Sequence, residues 1–324
     1  MKRREFLMLL GAASALCPRL VRAQQRLRRI GFLFGGTLAL RPQAQEFWHT
    51  LQQLGYIEGK TVKFEVREAQ GKVDRLPELA SEIVATNPDV LVAVTSPAVA
   101  AAKRATKTIP IVMAVVADPL GLGLVESLAR PGANVTGRSL NNNELARKRI
   151  QLLKEMLPDL SVAGILWNET NPQNAALVRL TEQAARSLGI PLSSLPIRTP
   201  ADLKPALESA LEQHLSAVLV VGDAVTFDRR GDVIAFSIAH RIPTLHVFPE
   251  EAVDGALAAY GSSLRDDYRR AAYYVDKILK GAAPADLPVE EPTIFEFVLN
   301  MSTARKLGLA IPLSIVLRAD DVIE

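Results

Sequence analysis

The chain has 324 residues, 38 Lys+Arg against 35 Asp+Glu, and 48% apolar content, enough to bury one large core or two ordinary ones without a disulfide staple. Five of the basic residues (Lys2, Arg3, Arg4, Arg19, Arg22) and one acidic residue (Glu5) fall within residues 1–23, so the rest of the chain carries 33 basic and 34 acidic residues, a net charge of about −1. The basic excess belongs to one short terminal segment, which excludes a nucleic-acid footprint.

That segment, MKRREFLMLLGAASALCPRLVRA, reads as a bacterial export signal: a positive start at Lys2-Arg3-Arg4, an apolar run from Phe6 to Leu16, and a small-residue cleavage site at Val21-Arg22-Ala23. The run is too short to span a bilayer, which takes roughly 20 apolar residues, so cleavage is expected in preference to a permanent anchor. Arg3-Arg4-Glu5-Phe6-Leu7 is similar to a twin-arginine motif, and a Sec signal leads to the same compartment, the periplasm. The sole cysteine, Cys17, lies here; reading it as a lipidation site meets Leu16 where a small residue is expected. Cleavage leaves a chain with no thiol, disulfide or Cys-ligated metal.

From Arg29 onward, short Val/Ile-rich runs alternate with amphipathic stretches, the pattern of an α/β fold with mainly parallel strands. Strands are expected at 30–34, 62–66, 90–94, 111–116 and 135–137, with helices at 43–54, 76–86, 98–106 and 122–128. A charged helix at 143–157 ends at Pro158, and a second set follows. Its strands fall at 162–167, 192–196, 217–221 and 244–247, with helices near 172–188, 201–213 and 229–239. Gly189 stands where a left-handed helix cap favours glycine. The remainder offers a strand at 256–260, a helix at 264–279, a short strand near 294–299 and a helix at 302–307. These pieces are too small for a third core and are expected to complete the first two.

Ligands of open parallel sheets bind beyond the carboxyl ends of the strands. Those positions hold Gly35-Gly36-Thr37, Thr95-Ser96-Pro97, Asp118-Pro119, Asn168 to Asn174 and Gly222-Asp223, a mixture suited to a polar small molecule. Thr95-Ser96-Pro97 has the makings of an anion-binding helix start, or of an ordinary N-cap. Asp118 and Asp223, one in each unit, could together accept an ammonium group, although either alone also serves as a cap. Ser96→Ala and Asp223→Ala are expected to weaken binding at little cost to folding.

Enzyme motifs are sparse. Gly121-Leu122-Gly123 is followed by Glu126 where a dinucleotide fingerprint has its third glycine, and there is neither a Walker loop nor a G-x-S-x-G elbow. His49, His214, His240 and His246 form no i, i+4 chelating pair. No cofactor, no metal and no catalytic residue is therefore expected.

Several motifs follow one another in order along the chain: RREF near the start, RAQQ at the cleavage site, Ile30-Gly31-Phe32-Leu33, Leu54-Gly55-Tyr56-Ile57-Glu58-Gly59, Asp74-Arg75-Leu76-Pro77, Thr108-Ile109-Pro110-Ile111-Val112 and the run from Leu128 to Gly137. They continue through Tyr260-Gly261, Ile278-Leu279-Lys280-Gly281, Pro284 to Val289 and Lys306-Leu307-Gly308-Leu309. In these the chain resembles the ABC-type substrate-binding proteins of the tryptophan/tyrosine-binding kind. The resemblance implies a type I periplasmic-binding-protein fold: two Rossmann-like doubly wound lobes joined by a hinge of about three crossovers. The first lobe would span 27–140 plus 256–290 and the second 141–255 plus 291–324.

By position, the resemblance places Thr95, Ser96 and Asp118 on the first lobe's face of the cleft and Asn168 and Asp223 on the second's; Thr37 joins them as a strand-end residue. Asp223-Ala224 departs from the Asp-Pro often found there. The implied function is capture of a small polar ligand, an amino acid or other small carboxylate, by a monomer that closes around it and presents it to an inner-membrane ABC permease. The same fold would serve a periplasmic sensor docking on a receptor kinase, or an enzyme. Repressor relatives carry an N-terminal DNA-binding domain where this chain carries the signal.

Overall fold

The computed structural model describes residues 26–324, so the export-signal reading, Cys17 included, lies outside the described residues. The first unit runs β1 (Arg28–Phe34), α1 (Gln45–Gln53), β2 (Val62–Glu68), α2 (Leu76–Ala85), β3 (Val90–Val94), α3 (Ser96–Ala105), β4 (Ile111–Val116) and β5 (Val135–Ser139). All strand pairs are parallel, in the order β2-β1-β3-β4-β5. β3 is buried along its whole length, as a strand covered on both faces must be, which is why it reads as an unbroken apolar run. Phe32, Phe47, Trp48 and Phe64 form an aromatic cluster on one face, with ring centroids 4.9–6.4 Å apart, and burial of Phe32 and of Phe47, both fully enclosed, contributes roughly 1.5–3 kcal/mol each.

The chain then enters α4 (Asn142–Met156) through Asn141, whose left-handed conformation (φ +51°) suits asparagine. The second unit follows: β6 (Ala163–Asn168), α5 (Pro172–Ser187), β7 (Leu192–Ile197), α6 (Leu203–Glu212), β8 (Ala217–Val220), α7 (Ala224–Asp228), α8 (Arg230–His240), β9 (Thr244–His246), α9 (Pro249–Val253) and β10 (Ala258–Gly261). Its order, β7-β6-β8-β9-β10, repeats that of the first unit.

After β10 the chain returns to the first lobe as α10 (Leu264–Leu279), which packs on α1, β4 and β5. It crosses back a third time to give β11 (Glu296–Asn300), α11 (Met301–Leu307), α12 (Leu313–Val316) and β12 (Asp321–Ile323), which extend the second sheet beyond β10. β11 runs antiparallel to β10 and parallel to β12. Among the described residues, no helix is long and apolar enough to cross a membrane.

The two-lobed, doubly wound α/β architecture is as expected, with two local corrections. Residues 256–261 do not belong to the first lobe: β10 pairs with β9 and β11 in the second sheet, and the chain returns only near Leu264. The expected helix at 122–128 is a series of turns. Asp118 Oδ1 accepts from Gly121 N–H at 2.8 Å, the Leu124 N–H donates to the Pro119 carbonyl at 2.8 Å, and Gly123 takes φ +61°, so local caps and glycine outcompete a helix. Gly189 does adopt the left-handed cap, at φ +69°.

Candidate ligand-binding cleft

Both units turn the carboxyl ends of their strands toward one interlobe cavity, at the switch points between β1 and β3 and between β6 and β8 where the strand order reverses. In the first lobe, β3 runs into Thr95, which precedes the ten-residue α3 with φ +86° and ψ 148° and makes no side-chain cap. Val115, near the end of β4, has φ +55°. Both line the cavity. Positive φ at β-branched residues costs roughly 1–3 kcal/mol each, and such strain clusters at functional sites. A Cβ at Gly35 would lie 2.5 Å from Thr95 Oγ1, so only glycine lets β1 pass beneath that side chain. The Thr95 hydroxyl is buried and has no hydrogen-bond partner among the described residues.

The second lobe's wall is organised by Asp223. Asn168 Nδ2 donates to its Oδ1 at 2.7 Å, Asn171 Nδ2 to its Oδ2 at 3.0 Å, and the Val225 N–H to Oδ1 at 3.0 Å. Its own N–H donates to Thr226 Oγ1 at 3.0 Å, so one carboxylate caps α7 and fixes two asparagines. Asn171 in turn caps α5, and Gln173 follows in that helix's first turn. The Ser96 hydroxyl of the first lobe donates to Gln173 Oε1, which also lies 3.4 Å from the Ala117 N–H. Gln173 Nε2 is buried without a partner among the described residues.

A second interlobe contact involves Arg41, which is 2% exposed. Its Nε donates to Asp228 Oδ1 at 3.2 Å, and its guanidinium carbon lies 3.8 Å from the centre of the Phe227 ring and 5.3 Å from that of Phe34. With the lobes in this contact the cavity volume is about 30 Å³, one water's worth. Admission of any amino acid therefore requires the lobes to part.

Of the residues expected at the site, Thr95, Ser96 and Asp223 line the cavity, and Asn168 stands directly behind Asp223. Thr37 does not line it; its N–H donates to Asp228 at 2.8 Å, placing it at the rim contact. Asp118 does not line it either, because its carboxylate is turned to Gly121 N–H and to Asn143 Nδ2 at 3.2 Å. The structure thus does not bring Asp118 and Asp223 together as joint acceptors of an ammonium group. Arg41 and Gln173 were missed. Arg41 is far in sequence from Asp228, but Gln173 carried a signal, since it lies in the first turn of the helix opened by Asn171-Pro172, within the polar run 168–174 at the carboxyl end of β6.

The family model described as ABC transporter substrate binding protein matches residues 39–323. A tyrosine-binding protein of Clostridioides difficile (strain R20291) is 27% identical over 263 residues, covering 81% of this chain and 75% of that protein. Among solved structures, a conserved domain protein from Vibrio cholerae O1 biovar El Tor is 29% identical with a TM-score of 0.84, over 92% of this chain and all of that one. The ABC domain from Streptococcus pneumoniae in complex with L-Trp is 24% identical with a TM-score of 0.83 over the same shares.

Proposed function

Because the chain belongs to the family of ABC transporter substrate-binding proteins, we propose that it is exported to the periplasm, captures a free amino acid between its lobes and delivers it to an inner-membrane ABC permease. The observation that carries this reading is a pair of buried polar atoms in residues lining one cavity, Thr95 Oγ1 from one lobe and Gln173 Nε2 from the other, which lack partners among the described residues. Such atoms cost about 1–3 kcal/mol each, which a ligand's hydrogen bonds would offset.

The chemistry suits a zwitterion. The start of α3, uncapped by Thr95, and the Ser96 hydroxyl favour a carboxylate, and Asp223 lines the opposite wall as the acceptor for an ammonium group. An adjoining space of about 310 Å³ shares Ser96 and Asn171 with the cavity and is lined by Leu76, Pro97, Ala100 and Leu122, which gives an apolar side chain somewhere to go. The tyrosine-binding relative and the L-Trp complex support an aromatic one.

The test is a thermal-shift and calorimetric screen of the purified protein against the twenty amino acids and small organic acids. L-tyrosine or L-tryptophan at 100 times its dissociation constant should add about 2.7 kcal/mol of stability. No response to any amino acid would refute the reading.

A further inference from the structure

Gln173 has two faces in the cleft. Its Oε1 accepts from the Ser96 hydroxyl and lies 3.4 Å from the Ala117 N–H. These donors belong to the end of β4 and the start of α3, the first-lobe surface on which a ligand carboxylate would be received. Its Nε2 has no partner among the described residues, although Gln173 is only 6% exposed and lines the cavity. The amide orientation follows from the Ala117 N–H, which can only donate, so the oxygen must face it. An amide oxygen from the second lobe therefore rests on the donor pair suited to a carboxylate oxygen.

Resting on the reading of this cleft as an amino-acid site, we propose that the Gln173 side chain is a built-in competitor for the ligand's carboxylate: it latches the lobes together through Ser96 and Ala117 and must be displaced before a ligand is bound. A carboxylate is the stronger occupant, because charge-assisted hydrogen bonds are roughly twice as strong as neutral ones and the start of α3 favours negative charge. Displacement therefore proceeds downhill for an anionic ligand and not for its neutral amide. The latch also lowers ligand affinity, since only the fraction of molecules with the donors free can bind. Gln173 thereby sets both how often the cleft closes on itself and how tightly it holds its cargo.

The chain's single cysteine, Cys17, makes a spin-label test direct. Cysteines replace the exposed Glu78 on α2 and Lys204 on α6 in a Cys17→Ser background, and interlobe distances are measured without added amino acid. Gln173→Ala should lower the closed-to-open ratio at least about fivefold, the loss expected for even one of its two interlobe hydrogen bonds. It should also tighten L-tyrosine or L-tryptophan binding, approaching the same factor where the closed form predominates. Gln173→Glu keeps an acceptor and adds charge, so it should do the opposite: more closure and weaker binding.

An unchanged distance distribution in Gln173→Ala, or no closed population in the parent protein, would overturn the latch. Weaker amino-acid binding by Gln173→Ala would overturn the competitor, because it would make Gln173 a ligand contact. If neither amino acid binds the parent or its variants while the distances respond as stated, the ligand reading fails and the latch stands.

Discussion

Arg41 of the first lobe lies against the Phe227 ring of the second, its guanidinium carbon 3.8 Å from the ring centre, while Arg230 lies 4.3 Å from the same centre and donates to the Leu40 carbonyl at 3.3 Å. One aromatic ring thus receives two cations, one from each lobe, and Asp228 supplies the countercharge to Arg41. A desolvated cation–π contact is worth about 2 kcal/mol. Arg41→Met should therefore shift the open-to-closed ratio by at least about tenfold. The parted lobes rehydrate Asp228, so the change should appear as a larger radius of gyration in small-angle scattering more than as a lower melting temperature. A variant as compact as the parent would refute the contact's role in closure.

Asp223 has a heavier structural duty than its strand-end position suggested. With Asn168, Asn171 and the α7 cap all resting on its carboxylate, Asp223→Ala should cost about 2 kcal/mol or more of folding stability. Calorimetry should show a melting temperature several degrees lower, in contrast to the near-neutral outcome expected from sequence. Ser96→Ala, which loses one interlobe bond, should melt within about 2 °C of the parent.

The Thr95 hydroxyl has no partner among the described residues, so its removal by Thr95→Ala should leave thermal stability unchanged or slightly raised while weakening ligand binding about five- to twentyfold. Thr95→Gly relieves the φ of +86° and should be at least as stable as Thr95→Ala despite glycine's greater unfolded-state freedom. A marked loss of stability in both variants would show that the hydroxyl is satisfied within the protein.

Stability should also depend on pH through Asp267, at the start of α10. Burial pushes its carboxyl from the ordinary 3.8 up to about 8, with Arg138 opposing the shift and Asp266 and Glu250 adding to it; Arg138 Nε lies 3.3 Å from Oδ1. The folded form holds a proton that the unfolded form has released, so this group's stabilisation is complete below about pH 4 and lost as pH rises through about 8. Asp267→Asn keeps the shape and removes the titration. In denaturant titrations its stability relative to the parent should climb between about pH 4 and 9, and a constant gap would show that Asp267 is charged throughout.

The repeated core was legible because strands such as β3 and β4 announce themselves as continuous Val/Ile runs between amphipathic helices. α7 and α9, five residues each, are too short to show periodicity and exist through caps and packing. The Asp223-x-x-Thr226 pattern was the only local hint of α7. The site was half legible for a related reason. Thr95, Ser96 and Asp223 follow from the rule that ligands gather at strand ends, but that rule says nothing of which way a side chain turns. Asp118 satisfies the rule and then spends its carboxylate on Gly121 and Asn143. Arg41 breaks it, reaching the cavity from a turn well past the end of β1 because Phe34, Phe227 and Asp228 make a place for a guanidinium.

The chain passes between the lobes three times, and two of those passages are laced together where the Ser139 N–H donates to the Glu290 carbonyl at 2.9 Å and the Glu290 N–H to the Gly137 carbonyl at 3.0 Å. A single tether would act as a ball joint and leave the lobes free to swivel and twist. Parallel ties act as a leaf hinge, which bends about one axis and resists the other two. Opening and closing along such a hinge would follow a single reproducible track between two defined outlines instead of a continuum of poses.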